Sequence, residues 1–289
     1  MSTPCCNRWS LPYDPSGMET LRGRHAGQQA IILASGPSLK QINLELLRAH
    51  PGLIGIKGTY SLGLAFRYWI GLQNTFIHEN IDKIAAVKAD KLIFNWSERA
   101  HLMKLLLARI PAERLAWASQ LTDHSNFFDM TLPRYRGTTV MFNLALPFAV
   151  YCGYKEIILL GADYPVTGYT RFYEQGKDGA PIHAAPETAT MTSEMEMATA
   201  RADAPRWANT CEAAGVKVWN CSPGSALPAF EQATLEAVLQ TRPRMKSTKV
   251  AAAPVPASAA APALPALPAP PAAPQGPKLT RKKPTARKP

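Results

Sequence analysis

Long apolar runs are absent from this chain of 289 residues, although 46% of the residues are hydrophobic. No segment approaches the roughly 18 consecutive apolar residues of a membrane-spanning helix, so the sequence predicts no membrane span. The first ten residues also lack the apolar centre of a secretory signal. The five cysteines include no Cys-x-x-Cys pair, which argues against a structural zinc site. Scattered cysteines are typical of a reducing compartment, and we expect a cytoplasmic protein.

Acidic residues are absent from Arg242 onward, whereas that segment, Arg242 included, contains ten lysines and arginines. Removing those ten charges from the formal net charge of +11 leaves about +1 for the remainder. The high pI therefore belongs to the tail and does not make the whole chain a nucleic-acid binder. Residues 250–277 are almost entirely Ala and Pro, which predicts a disordered spacer. Its basic end offers contacts to nucleic acid or anionic surfaces, and a solubilising tail without a partner is the alternative.

Several nucleotide and metal motifs are also missing. The absence of a Gly-x-x-x-x-Gly-Lys-Ser/Thr loop excludes the common P-loop arrangement, and the absence of Gly-x-Gly-x-x-Gly argues against a dinucleotide. No Asp-x-Asp pair is present to hold a divalent metal on a sugar nucleotide. The six histidines show no spacing of metal ligands. We expect neither a bound metal nor another cofactor.

Short apolar segments alternate with segments of helical pattern between about residues 30 and 240. Strands are predicted at 30–34, 53–56, 75–77, 91–94, 156–160 and 216–220, and helices at 39–49, 62–69, 99–108, 139–151, 191–214 and 230–239. This alternation is typical of an α/β fold with a mostly parallel sheet and helices on both faces. The segments 30–34 and 156–160 are apolar at consecutive positions, which predicts central strands.

Composition divides the chain into three parts. Residues 1–27 form a proline-containing leader whose latter part we expect to dock on the domain. Residues 28–241 form a single α/β domain, and residues 242–289 form the Ala/Pro-rich basic tail. Within the domain, the segment 161–189 is rich in Gly, Pro and small residues. A connection of that length is usually a lid or a binding loop.

One strand–turn–helix signal is especially informative. The apolar run that starts at Ile31 ends at Ser35-Gly36-Pro37-Ser38, where a helix should begin. In α/β proteins this geometry directs backbone N–H groups and the positive end of a helix dipole at an anion, most often a nucleotide phosphate. An ordinary turn in which Ser38 caps the helix is the alternative.

Three further loops have small polar residues after a predicted strand or at a helix start, where sites of parallel sheets lie. Asp163 is placed to accept hydrogen bonds from ribose hydroxyls or a base amine, whereas simple capping of a loop is its alternative role. Thr139 has the same alternative as a helix cap. The residues predicted to bind a nucleotide are Gly36, Pro37, Ser38, Arg136, Thr138, Thr139, Gly161, Asp163 and Ser225.

Three of these motifs, IILASGPSL (31–39), GYKEIILLGADY (153–164) and NCSPGSAL (220–227), resemble a known superfamily. They are similar to 6-hydroxymethylpterin diphosphokinase-like proteins, which include motility-associated and phage-encoded glycosylation factors, and to family 42 sialyltransferases. The resemblance covers about residues 30–239 and implies a Rossmann-like domain. It also implies a nucleotide at the Gly-Pro-Ser loop, at the helix start of Thr138 and Thr139, and at Asp163. In the sialyltransferases the donor is a CMP-sugar and no metal is needed.

The chain departs from the sialyltransferase pattern at functional positions. Where those enzymes have nucleotide-contacting asparagines after the second and third strands, this chain offers Lys57 and His78. Their catalytic histidine corresponds by spacing to a position near Ala198, where no histidine is present. We therefore nominate His183, in the lid segment, as general base, with an exposed loop histidine as the alternative. Arg136 or Arg171 is the candidate to neutralise a leaving phosphate.

The leading hypothesis is a metal-independent glycosyltransferase-like enzyme that uses a nucleotide-activated sugar, with a CMP-sugar favoured. Its acceptor would be a glycan or a protein. An ATP-dependent diphosphokinase of the pterin type is the first alternative, and it would need acidic ligands for Mg²⁺. A non-catalytic nucleotide-binding accessory protein is the second.

Overall fold

The computed structural model describes residues 16–118, 139–166, 171–172 and 187–240, and the centre of this part is a parallel sheet. Its strands are β1 (Gln29–Leu33), β2 (Leu53–Ile56), β3 (Phe66–Gly71), β4 (Ala89–Asn95), β5 (Leu115–Ala118), β6 (Glu156–Leu160), β7 (Lys217–Asn220) and β8 (Glu231–Gln232). They lie in the order β5-β4-β3-β2-β1-β6-β7-β8, and each neighbouring pair is parallel. The predicted α/β, Rossmann-like fold is confirmed.

Helices connect the strands and cover the sheet. They are α1 (Ser16–Glu19), α2 (Glu45–Arg48), α3 (Asn74–Glu79), α4 (Ile81–Ala85), α5 (Arg99–Leu107), α6 (Leu146–Tyr151), α7 (Glu187–Ala213) and α8 (Leu235–Gln240). Shorter 3₁₀ turns lie at Pro37–Gln41, Lys57–Leu62, Trp96–Glu98 and Ala112–Arg114, and a π-turn lies at Met141–Ala145.

The central strand β1 separates two apolar cores. Ala30 and Ile32 pack into one core, and Ile31 and Leu33 pack into the other, all four fully buried. Its neighbour β6 divides its side chains between the same two cores. Because a strand covered on both faces needs apolar residues at every position, the continuous apolar pattern predicted both central strands correctly.

Two elements predicted from the sequence are wrong. Phe66–Gly71 is strand β3 where the end of a helix was predicted, and Asn74–Glu79 is helix α3 where a strand was predicted. A short apolar run fits either kind of element, and tertiary packing decides between them. In β3 every residue except Arg67 is buried between β2 and β4, whereas in α3 only Ile77 is buried.

The strands at the two edges of the sheet were also not predicted from the sequence. Strand β5 was not predicted, and the two residues of β8 lie inside a segment predicted as helix, of which only α8 is helical. The predicted helix at 39–49 is instead a 3₁₀ turn followed by the single turn of α2. Edge strands this short show no hydrophobic period, so their sequence gives no signal of pairing.

Residues 16–27 pack on the domain. Met18 and Leu21 are buried, and the backbone N–H groups of Gly23 and His25 donate to the carbonyls of Tyr151 and Cys152 at 2.9 and 2.7 Å. Residues 1–15 and the predicted tail at 242–289 lie outside the described residues. No helix of the described part is long and apolar enough to cross a bilayer.

His25 is buried, with 5% of its surface exposed, in a cluster of aromatic rings. Its Nε2 is 2.7 Å from the hydroxyl of Tyr68, and its ring stacks on Tyr154 with centroids 4.6 Å apart. Burial, with a smaller contribution from the positive charge of Arg67, lowers the pKa of His25 from 6.5 to about 4. The folded protein therefore holds this imidazole in its neutral form.

We expect His25 to make the fold sensitive to acid. Because the folded pKa lies below the unfolded one, its contribution is complete above pH 6.5 and is lost as the pH falls from 6.5 towards 4. The shift corresponds to about 3 kcal/mol of unfolding free energy. Urea unfolding of wild type and His25→Gln between pH 4 and 7.5 should show a shallower pH dependence for the variant. Exposed His101→Gln is the control, and equal slopes for wild type and His25→Gln would contradict the assignment.

Candidate functional site

The point where the order of strands reverses lies between β1 and β6. The chain proceeds from β1 through β2 to β5 on one side, and from β6 to β8 on the other. The loops after β1 and β6 thus leave the sheet in opposite directions and open a crevice, where ligands of such folds bind. Two backbone bonds join them, from the Ala34 N–H to the Leu160 carbonyl at 2.7 Å and from the Gly36 N–H to the Gly161 carbonyl at 2.8 Å.

Asp163 and Ser38 connect the two loops more strongly. The Ser38 N–H donates to Asp163 Oδ2 at 2.8 Å, and the Ser38 hydroxyl donates to Oδ1. Both residues are at least nine-tenths buried. Burial raises the pKa of Asp163 above its usual range, and the two bonds from Ser38 oppose that rise. Asp163 thus occupies the N-terminal end of the Pro37–Gln41 turn, the position at which the sequence predicted a phosphate.

The close packing of the two loops requires a glycine at position 36. A Cβ atom at this position would lie 2.5 Å from Asp163 Cγ and Oδ2 and from the Gly161 carbonyl oxygen. Its backbone is extended, with φ at −69°, so conformational freedom is not the reason for glycine. Gly36 was predicted to bind a nucleotide, but the space beside it is filled by the Asp163 carboxylate.

Ser225 supports the loop after β6. Its hydroxyl donates to the Ala162 carbonyl at 2.6 Å and accepts from Asn220 Nδ2 at 2.8 Å. Ser222 Oγ accepts from the Ala162 N–H at 2.9 Å. These bonds between the loop after β7 and the loop after β6 hold Asp163 in place, so Ser225 contributes to the site by positioning.

A cleft of about 160 Å³ opens beside this cross-link. Four of the predicted residues line it, namely Gly36, Thr139, Gly161 and Asp163. Pro37, Ser38 and Ser225 are not among its lining residues. The cleft is also lined by Lys57 and Arg171, candidates from the resemblance and for the leaving phosphate, and by Gln73, Tyr164 and Glu196. Arg136, Thr138 and His183 lie outside the described residues.

Three residues of the cleft have a left-handed backbone. Lys57, Gln73 and Tyr164 have φ values of 47°, 76° and 45°, and they are the only non-glycine residues of the described part with positive φ. They follow the ends of β2, β3 and β6. Each such residue costs about 1–3 kcal/mol and is retained where its surroundings determine it, commonly at functional sites.

Hydrogen bonds and stacking hold these strained residues. Trp69 Nε1 donates to the Lys57 carbonyl at 3.0 Å, and Lys57 Nζ donates to Gln73 Oε1 at 2.9 Å. Tyr164 stacks on Phe142 with centroids 5.4 Å apart, and Arg201 donates to its carbonyl at 3.1 Å. The strain is thus built into the rim of the cleft.

The helix start at Thr139 is irregular. The Thr139 carbonyl accepts from the Asn143 N–H at 3.1 Å, and the chain then forms the π-turn Met141–Ala145. Pro147 follows and has no N–H for the carbonyl of Asn143, which accounts for the widened turn. Wide turns of this kind are frequent at functional sites.

Sequence reasoning located the loops at β1 and β6 but missed Gln73. Because the third strand was misplaced, the resemblance assigned its carboxyl end to His78, which instead lies in the last turn of α3. Gln73 occupies the position that follows the observed third strand. Lys57 had one signal, its place directly after β2. Glu196, on α7, lies two residues before the position that lacks the expected histidine.

Comparison with protein-family models finds no match, and no curated protein matches the chain. Among the residues that the structure describes, no group of three or more His, Cys, Asp or Glu side chains is arranged to hold a metal ion.

We expect Gly36→Ala to destabilise the protein, because its methyl group would overlap Asp163 and Gly161. Overpacking of this kind costs about 1–3 kcal/mol or more. Gly17→Ala in α1 is the matched control, since no atom outside its chain neighbours and its own helix lies within 4 Å of its added Cβ, and its stability should be unchanged or slightly raised. Urea unfolding measures both. Equal stability of Gly36→Ala and wild type would show that the two loops are not held as closely as described.

Proposed function

We propose that the protein binds a nucleotide-activated sugar at this cleft, a CMP-sugar in the favoured case, and transfers the sugar without a metal ion. One observation carries the proposal: Lys57, Gln73 and Tyr164, three strained residues from separate strand ends, line one cleft at the reversal point of the sheet. Strain at this place favours a binding site over an ordinary loop cluster. The nucleotide sugar itself is inferred from the resemblance of the loop motifs.

Two cations and two carboxylates of the described residues line the cleft. Lys57 and Arg171 supply the positive charge, and Asp163 and Glu196 are the carboxylates. The N–H of Phe172 donates to the Ser35 carbonyl at 2.9 Å, which holds Arg171 beside the β1 loop. In the proposed reaction an acceptor hydroxyl gives its proton to the general base and attacks the anomeric carbon, the bond from that carbon to the phosphate oxygen breaks, and CMP leaves. Lys57 and Arg171 would neutralise the charge that develops on the phosphate.

The carboxylates support sugar transfer over diphosphokinase chemistry. Mg²⁺ needs acidic oxygen ligands in a site that handles ATP. Asp163, however, uses both oxygens to accept bonds from Ser38, which leaves Glu196 as the other carboxylate of the cleft in the described part.

The size of the cleft indicates which part of the donor it takes. The volume of the cleft, about 160 Å³, is smaller than the roughly 300–1,000 Å³ of pockets that hold whole ligands. The cleft would hold the reacting end of the donor, and the nucleoside would extend beyond it.

We expect Lys57→Asn to weaken CMP binding about tenfold, because it removes a positive charge from the phosphate position. Asparagine tolerates a left-handed backbone, so the fold should be preserved. Titration calorimetry with CMP and with ATP, each with and without Mg²⁺, measures the effect. Exposed Lys104→Gln on α5 is the charge-matched control. Unchanged CMP affinity in Lys57→Asn, or binding of ATP with Mg²⁺ in place of CMP, would contradict the proposal.

Release of CMP from CMP-N-acetylneuraminic acid measures turnover and tests which residue acts as general base. His183 is the residue predicted from the sequence, and Glu196 is the carboxylate on the α7 wall of the cleft. We expect His183→Ala to retain CMP affinity and to lower turnover at least tenfold. Loss of turnover in Glu196→Gln alone would transfer the role to Glu196. Binding of CMP by a wild type that releases none from the donor would identify a non-catalytic nucleotide-binding protein.

A further inference from the structure

A second, larger groove of about 870 Å³ adjoins the cleft and shares three of its residues, Lys57, Gln73 and Arg171. It lies between the Lys57–Leu62 turn and the helices α3 and α4. At one end it begins beyond the carboxyl end of β3, at Gln73. At the other end it reaches Leu64 and Lys88, which precede β3 and β4. The groove thus follows β3, whose six residues extend about 20 Å.

The charge of the groove is predominantly positive. Its lining includes Lys57 and Arg171 at the end shared with the cleft and Lys83 and Lys88 further out, whereas Glu79 is the acidic residue of its described lining. Residues 1–241 carry a formal net charge of only about +1, so this excess is a local feature. A groove lined by one sign of charge raises the local concentration of ligands of the opposite sign.

The lining of the groove also combines aromatic rings with an amide. Tyr60 and Phe76 are partly buried, with ring centroids 6.2 Å apart. The Tyr60 hydroxyl donates to Asn80 Oδ1 at 2.8 Å, and Lys83 Nζ is 3.5 Å from the same oxygen. Aromatic faces provide apolar contact for the C–H faces of sugar rings. Asn80 Nδ2 donates one N–H to the Phe76 carbonyl at 2.9 Å, and its second N–H is a donor for a hydroxyl.

From the length, the charge and these side chains, we propose that the groove binds the acceptor, and that the acceptor is an acidic oligosaccharide. This inference rests on the proposed function, because the shared residues Lys57, Gln73 and Arg171 would then place the end of the acceptor beside the reacting end of the donor. Lys83 and Lys88 would contact acidic groups on the outer sugars. They line the groove but not the cleft, so their replacement separates acceptor binding from donor binding.

The test uses trigalacturonic acid as probe, its neutral methyl ester as matched control, and the full-length protein in titration calorimetry at low salt. Lys83→Gln/Lys88→Gln should weaken binding of the acid about tenfold. The control variant Lys104→Gln/Arg206→Gln, on exposed positions of α5 and α7, should bind as wild type does. The ester should bind weakly to all three proteins, and added salt should weaken binding of the acid.

The outcomes distinguish the inference from the proposed function. Unchanged affinity of the Lys83→Gln/Lys88→Gln protein for the acid would overturn the inference and leave CMP binding as it is. A parallel loss of CMP affinity in that protein would also overturn it, because the groove would then hold the nucleotide. A hexaglutamate peptide could also bind more tightly than the acid and lose affinity in the Lys83→Gln/Lys88→Gln protein. That result would overturn the oligosaccharide as acceptor and indicate an acidic protein segment instead. Binding of the acid without any binding of CMP would support the groove as a site for an acidic oligosaccharide. It would refute the proposal that the cleft binds a CMP-sugar donor.

Discussion

The carboxylate of Asp163 joins two loops that leave the centre of the sheet in opposite directions. It accepts both hydrogen bonds from Ser38, and it lies where a side chain at residue 36 would have to be. A buried carboxylate is costly unless its oxygens are paired, and here the N–H and the hydroxyl of one residue supply the partners. A hydrogen bond donated by the Ser225 hydroxyl and one accepted by Ser222 Oγ in turn fix the loop that holds Asp163. The shape of the cleft therefore depends on the hydrogen bonds between Ser38 and Asp163.

Three other residues that line the cleft have a strained backbone. Lys57, Gln73 and Tyr164 adopt a conformation that glycine would adopt at lower cost, yet none of them is glycine. The side chains are therefore retained despite the strain. For Lys57 and Gln73 the structure shows what the side chains contribute. Their hydrogen bond places a cation and an amide where the cleft and the groove meet. The proposed reaction would occur at this junction.

The two cavities differ in the ligands that suit them. The cleft is small and has charges of both signs, which suits the reacting end of one molecule held in a defined orientation. The groove is long, open and cationic, which suits a chain that binds by several weak contacts. Two adjacent sites are compatible with the proposed transfer between two different substrates. In this interpretation, specificity for the acceptor is separable from affinity for the donor.

The sequence by itself determined the fold class, the two central strands and the loops that follow them, because strands covered on both faces must be apolar at every position. It also indicated Gly36, Ser38 and Asp163, but not that they bind one another. That contact joins residues 125 positions apart, and only the packing of β1 against β6 creates it. Gln73 was missed for a related reason. Burial between β2 and β4, which makes β3 a strand, is a property of the assembled sheet and leaves no period in so short a segment.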